Sequence, residues 1–249
     1  MNGIIGTTLI HLHSVDSTNI SAAEILNWET LEEGTVITAF EQYAGRGQKN
    51  TRWESNPGEN ITMSTVIYPA FVNAAEMFCI SEFVSLAIHE FLTEEVGECV
   101  HIKWPNDILV DSRKICGILI ENALRGNSLS HSIIGIGLNL NQNDFNQYKP
   151  EAVSLSALTG KIYDRTNCIE KLSKKLDKYY ALLKSGKQDL LHELYLNKLF
   201  RYKEKHPYEV RGAIIHACLE DVKKDGRLVL KNGSNTELFF DVKEVKFIY

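Results

Sequence analysis

The stretch that most constrains the fold is residues 133–141, IIGIGLNLN. On an extended chain, Ile134, Ile136, Leu138 and Leu140 fall on one face and Gly135, Gly137, Asn139 and Asn141 on the other. A helix would scatter both sets, so the pattern reads as a strand with one face on a core and the other nearly bare. Glycine weakens a strand, and two in alternation mean that something lies close against the sheet. The occupant is either a helix packed across the glycines or a flat ligand. In residues 115–121, ICGILIE, the alternation puts Ile115, Gly117, Leu119 and Glu121 on one face. Gly117 would extend the bare surface onto a second strand, which favours the ligand.

The second constraint is the loop at 41–53, EQYAGRGQKNTRW, which follows an apolar run at 35–40 that reads as a buried strand. Gly45 and Gly47 flank Arg46, and Lys49 and Arg52 follow before Trp53. Glycine permits backbone conformations closed to other residues, so N–H groups there can turn toward an anion. The three cations stand in a chain of net charge −5, so they form a local feature and not a general basic surface. Such a loop suits phosphate or carboxylate, and equally reads as a basic surface turn. No Gly-Lys-Ser/Thr follows and no GxGxxG opens a helix, which excludes the two commonest phosphate motifs.

Nearer the N-terminus, a strand at 7–13 runs into Asp16-Ser17-Thr18-Asn19, and Ser21 with Glu24 forms a capping box for the helix that follows. The four polar residues are either turn chemistry or the contacts of a polar ligand head. His11 and His13 share a strand face, as do Cys99 and His101, without the further ligands that zinc needs. Residues 60–68 read as a strand. Residues 73–96 read as an amphipathic helix with Met77, Ile80, Phe83, Val84, Ala87, Ile88, Phe91 and Leu92 buried, stopped by Gly97. In residues 100–107, VHIKWPND, a strand puts Lys103 opposite Val100, Ile102 and Trp104. Pro105 breaks it, leaving Asn106 and Asp107 at its end as an Asx turn or a ligand for a hard cation. A hairpin turn at Asp111-Ser112-Arg113-Lys114 leads into ICGILIE. Two amphipathic helices occupy 166–200, and a charged linker at 201–206 follows. Short strands at 208–217, 227–231, 236–240 and 245–248, with turns at Asp225-Gly226 and Asn232-Gly233, then have the signature of a small β-barrel.

At 249 residues the chain can hold one large domain, or a large and a small one. The net charge of −5 argues against a nucleic-acid-coating surface. The N-terminus lacks a signal peptide's cationic start, no apolar run approaches the ~18 residues of a membrane span, and no helix-turn-helix segment precedes the first strand. The five cysteines are scattered without a CxxC pair, as reduced core thiols are. A cytoplasmic protein is the expectation.

Taken in order, DSTN, EQYAGRGQ…W, KWPND, RKICGILIE, GIGLNLN and KEVKF resemble the motifs of the biotin–protein ligases, nearly end to end. The resemblance implies an α+β fold. A catalytic domain at 1–203 would hold a mixed sheet with flanking helices, similar to class II aminoacyl-tRNA synthetases, and 204–249 would form an SH3-like β-barrel. It would be the short form, without an N-terminal DNA-binding domain. The implied activity joins biotin to ATP as biotinyl-5′-AMP, then transfers biotin to a lysine of a biotin carboxyl carrier protein or domain, with Mg²⁺ assisting. Carried over by motif, Ser17, Thr18, Asn19 and Gln42 would bind the ureido head, and Gly117, Gly135 and Gly137 would leave room for the ligand. Arg46, Gly47 and Gln48 belong to the loop that closes over the adenylate, and Trp53 would help bury it. Lys114 would contact carboxylate and phosphate, with Arg46 its catalytic partner. Lys103 and Asn106 would serve the nucleotide, Asn139 its far side, and Asp107 the metal. No nucleic acid or membrane partner is implied, and a homodimer is compatible with the reading. One departure stands out: where the family commonly has GRGRRG, Gln48 and Asn50 replace the second arginine and third glycine, so the loop should close differently or hold the adenylate less tightly. The rivals are a lipoate or octanoyl ligase and a non-enzymatic biotinyl-AMP sensor.

Overall fold

The computed structural model describes residues 3–48, 51–146 and 150–248, so Lys49 and Asn50 lie outside the described residues. Seven of the described strands form one mixed sheet. They are β1 (Leu9–Val15), β2 (Val36–Gln42), β3 (Ile61–Ile67), β4 (Val100–Lys103), β5 (Asp107–Val110), β6 (Arg113–Arg125) and β7 (Ser128–Leu138). Their order is β1-β2-β3-β7-β6-β5-β4, with β1 and β2 parallel and every other pair antiparallel. The glycine-bearing β7 therefore lies at the centre, between β3 and β6, as its apolar face demands.

Helix α1 (Thr18–Trp28) packs on one face of the sheet, its Ala22 meeting Ile37, Val66 and Ile133. Helix α2 (Phe78–Val96) belongs to the other face, with Ile134, Ile136 and Leu138 of β7 in the same core. Apolar residues line three sides of α2, so it is nearly enclosed: α4 (Arg165–Lys184) and α5 (Gln188–Leu196) pack on it from outside, and the short α3 (Leu155–Thr159) precedes them. Gly97 ends α2 at φ 82. The helix begins at Phe78 and not at residue 73, because Asn73 caps a separate short turn, and Met77 is exposed. Helix α1 begins earlier than its capping box suggests. Ser17 is the N-cap, and Thr18 and Asn19 lie in the first turn.

The remaining strands are β8 (Lys205–Val210), β9 (Ala213–Val222), β10 (Leu228–Asn232), β11 (Glu237–Phe240) and β12 (Val245–Phe247). They form a second, wholly antiparallel sheet in the order β11-β10-β9-β8-β12. The single strand expected over 208–217 is a hairpin, turned at Arg211 (φ 50) and Gly212 (φ 83). The two sheets share one core, in which Tyr208, Leu219 and Leu230 join Phe83, Trp104 and Tyr195. Trp104 donates its indole N–H to Gly226 O at 2.9 Å across that boundary.

Candidate functional site

Helix α1 packs on β2, β3 and part of β7, at one end of its face of the sheet. Beyond it the floor is open, and register explains what lies there. Thr62, Gly137, Gly117 and Asp107 are cross-strand neighbours in one row, and Ser64, Gly135 and Leu119 in the next. This floor opens into a cavity of about 1220 Å³, walled by α1, the loop after β2, the β4–β5 turn and the C-terminal sheet.

At one end is a polar hub. Ser17, Thr18 and Asn19 are buried at the start of α1. The fully buried Ser64 hydroxyl lies 2.7 Å from both Thr18 Oγ1 and Asn19 Oδ1. Thr18 N–H donates to Gln42 Oε1 at 2.7 Å. Asn19 Nδ2 donates to Leu119 O at 3.2 Å and to Glu121 Oε2 at 2.7 Å. These residues stand at the start of a helix and line the cavity; Ser17 holds the N-cap position without a side-chain capping bond.

At the other end is a charge cluster. Lys114 Nζ lies 2.6 Å from Asp107 Oδ1, and Lys103 Nζ lies 3.0 Å from Asp107 Oδ2. Burial works to raise the Asp107 carboxyl, but the Lys114 and Lys103 ammoniums outweigh it and hold the group below its ordinary value. Strict alternation would turn Lys114 into the core. The structure corrects this: Ile108 pairs with Cys116 but Leu109 with Lys114, so Ile115 is an unpaired bulge residue. Ile115 and Cys116 both enter the core, and Lys114 is turned onto the Gly117 face. A divalent cation at Asp107, expected from the motif, does not fit this arrangement, because both carboxylate oxygens already face ammonium groups. Among the described residues no cluster of three His, Cys, Asp or Glu could hold a metal.

The loop after β2 is a tight hairpin. Arg46 and Arg52 form a bridge, Gly47 N–H donates to Thr51 O at 2.7 Å, and Trp53 N–H to Gly45 O at 2.9 Å. Its glycines serve close approach and not positive φ. A Cβ at Gly45 would meet Trp53 O at 2.4 Å, and one at Gly47 would meet Thr51 Oγ1 at 2.5 Å. Gly47 N–H is thereby spent on the loop itself. The hairpin lays the Trp53 indole on the glycine floor, where a Cβ at Gly137 would come within 2.3 Å of the ring and one at Gly117 within 2.9 Å. Gly135 is covered by Asn19, whose Oδ1 would be 2.4 Å from a Cβ there. Gly135 thus lies under the first turn of α1, while among the described residues no helix lies over Gly117 or Gly137. Lys114 Nζ sits 5.6 Å from the Trp53 ring centroid, and the buried Trp53 Nε1 has no hydrogen-bond partner among the described residues.

Of the residues singled out in the sequence, Ser17, Thr18, Asn19, Gln42, Arg46, Gly47, Gln48, Trp53, Lys103, Asn106, Asp107, Lys114, Gly117, Gly135 and Gly137 all line this cavity. Asn139 does not. It lies past the end of β7, buried, donating its amide to Val153 O at 3.1 Å. Asn106 lines the cavity while its amide holds Ile118 O at 2.9 Å. Sequence reasoning missed Ser64, which reads as one more strand residue. It also missed the wall formed by Val245, Lys246 and Phe247, with Lys103 Nζ 5.6 Å from the Phe247 ring centroid. The KEVKF motif was the signal for that wall, but nothing in it says that a second sheet reaches back to the first.

The pattern of the biotin/lipoate A/B protein ligase family matches residues 12–139, more than half of the chain and all of the site except its C-terminal wall and residues 150–151. The chain belongs to that family. It is 34% identical over 180 residues to the bifunctional ligase/repressor BirA of Bacillus subtilis (strain 168), a match covering 71% of this chain and 55% of that protein. The family chain thus spans about half the length of the BirA relatives it matches. To the biotin–[acetyl-CoA-carboxylase] ligase of Paracoccus denitrificans it is 27% identical over 235 residues, covering 91% of this chain and 95% of that one. Among solved structures it is similar to the biotin protein ligase from Aquifex aeolicus in complex with biotin and ATP. The TM-score is 0.78 at 25% identity, covering 96% of this chain and 98% of that chain. The resemblance drawn from the motifs is upheld by these matches.

Proposed function

We propose that this chain is an ATP-dependent biotin ligase that forms biotinyl-5′-AMP and passes biotin to a lysine of a biotin carboxyl carrier protein. One observation carries the reading: the cavity is lined by the uncharged polar side chains of Ser17, Thr18, Asn19 and Gln42 at one end, by lysines at the other, and by glycine between them. A ureido head offers both donors and a carbonyl acceptor to Ser17, Thr18, Asn19 and Gln42. An apolar lipoyl or octanoyl tail would take water from these polar side chains and offer them no hydrogen bond in return. The polar hub therefore favours biotin within the family.

The chemistry needs charge neutralisation and alignment more than acid–base catalysis. A biotin carboxylate oxygen attacks the α-phosphorus of ATP and pyrophosphate leaves. The carrier lysine's amine then attacks the acyl carbon and AMP leaves with the carboxylate oxygen. Carboxylate and triphosphate repel, and Lys114, Lys103 and Arg46 supply the opposing charge. Holding two reactants in register contributes up to ~7–11 kcal/mol. For a ligand to lie on Gly117 and Gly137, the Trp53 ring has to lift, with Gly47 and Gln48 moving in the same hairpin. Asp107 then acts by holding the two lysines, Asn106 by fixing the turn between Lys103 and Asp107, and Asn139 by bracing Val153 behind Lys114.

The finer assignments belong to the same proposal. The seven-stranded unit is read as class II synthetase-like over 1–203, and the antiparallel sheet as an SH3-like barrel over 204–249. A cytoplasmic location and a carrier-protein partner follow from the chemistry; no helix of the described residues is long and apolar enough to cross a membrane.

Exchange of labelled pyrophosphate into ATP, with biotin, lipoate or octanoate supplied separately, tests the activity. Exchange with biotin alone is expected. Exchange with lipoate instead would overturn the hub assignment, and none with any acid in protein that binds biotinyl-AMP would favour a sensor.

A further inference from the structure

The Glu121 side chain touches both the polar hub and the glycine loop. Glu121 follows Gly117 and Leu119 on the open face of β6, paired with Ile133. Its Oε2 accepts from Asn19 Nδ2 at 2.7 Å, and its Oε1 lies 3.1 Å from Arg46 Nη2. We infer that Glu121 is a positioning residue that orients the Asn19 amide and the Arg46 guanidinium together, tying recognition of the acid's head to placement of the loop cation. The inference rests on the biotin ligase reading for what binds, and on the geometry alone for what Glu121 holds.

An asparagine amide can present either its oxygen or its nitrogen to a ligand, and the choice decides which groups it accepts. A carboxylate only accepts, so Glu121 admits only the amide's N–H side. Leu119 O, another acceptor, takes the same nitrogen, and Asn19 Oδ1 is left with the Ser64 hydroxyl on the hub side. Arg46 is held by one corner. The guanidinium carries five N–H donors in a rigid fork, so with Nη2 on Glu121 its remaining edge is free to face an anion in the cavity.

A carboxylate is an unexpected choice beside a site for an acid and a triphosphate, because it repels both. Stability does not account for it. Arg46 and Glu121 side chains are 48% and 36% exposed, and ion pairs so exposed contribute little to folding. Orientation of two site residues does account for it.

Glu121→Gln and Glu121→Ala separate the two contacts in the full chain. Glutamine keeps one oxygen for Asn19 and loses the counter-charge of Arg46. In biotin-dependent pyrophosphate exchange, Glu121→Gln is expected to lower kcat about tenfold with the KM for biotin within about twofold of wild type. Glu121→Ala is expected to lower kcat similarly and to raise the KM for biotin about tenfold as well, with Tm unchanged in both variants. Wild-type values in both variants, or equal losses accompanied by a fall in Tm, would overturn the inference. Limited trypsin cleavage of the ligand-free chain after Arg46 reads the anchoring without any activity. Cleavage several times faster in Glu121→Gln is expected, and unchanged cleavage overturns the coupling to Arg46. A wild type without biotin-dependent exchange but with this cleavage difference would sink the ligase reading and leave the positioning role standing.

Discussion

The lysine–aspartate–lysine cluster carries the cationic end of the site. Asp107 is 7% exposed, and its two oxygens hold Lys114 and Lys103 at fixed positions on the glycine floor. Lys114→Ala leaves Lys103 as the aspartate's partner, so the fold should survive while adenylation falls by about 100-fold or more. Near-wild-type exchange in a folded Lys114→Ala protein would remove Lys114 from its role. The motif RKICGILIE identified this lysine, but alternation alone aims it the wrong way. Only the bulge at Ile115 brings it to Asp107, and a bulge depends on what the partner strand does, which sequence spacing does not record. The same limit applied to Asp107. It read as a cation ligand because spacing alone does not show that Lys103, four residues before it, pairs with it across the β4–β5 turn, nor that the bulge turns Lys114 to it.

At the scale of elements, the alternating glycines of β7 gave the bare face correctly, and the cross-strand row from Thr62 to Asp107 follows from it. Gly135 is covered by Asn19 and Gly137 by the Trp53 indole, which is delivered by a hairpin whose own glycines permit close approach of its two arms. Gly137→Ala should leave the sheet intact, since Gly137 is not among the residues with positive φ, but its Cβ would collide with the ring. The expected outcome is a melting temperature within a few degrees of wild type with biotin affinity lower by about tenfold or more, read by calorimetric titration. Unchanged affinity would mean that the glycines seat only tryptophan and never a ligand. Most strands and the long helix were legible because period-2 and period-3.6 patterns are local. The start of α1 was not, since Thr18 and Asn19 are held by Gln42, Ser64 and Glu121 from three distant strands.

Across the whole molecule, the C-terminal sheet is part of the core and a wall of the cavity, which its barrel-like spacing could not reveal. One contact across that boundary is sensitive to pH. His192 on α5 lies 2.7 Å from Glu82 of α2 through Nδ1 and 3.0 Å from Asp221 of β9 through Nε2, which requires both ring nitrogens to donate. Asp221 and Glu82 together push the imidazole pKa up to about 9. Its stabilising effect is therefore full below the ordinary value of 6.5, declines as pH rises, and is gone above about 9. The Tm of wild type should fall by a few degrees between pH 6.5 and 9.5, and that of His192→Asn by less. Equal slopes would show that this contact does not tie the helices to the C-terminal sheet energetically. The central claim is that acid and nucleotide meet on one glycine floor and that the carboxylate attacks the α-phosphorus. Biotin labelled with ¹⁸O in its carboxylate, turned over with ATP and with hydroxylamine as acceptor, tests it in one mass spectrum. AMP carrying one ¹⁸O and unlabelled pyrophosphate are expected; label in released phosphate or pyrophosphate, or AMP without label, would rule out attack of the carboxylate on the α-phosphorus.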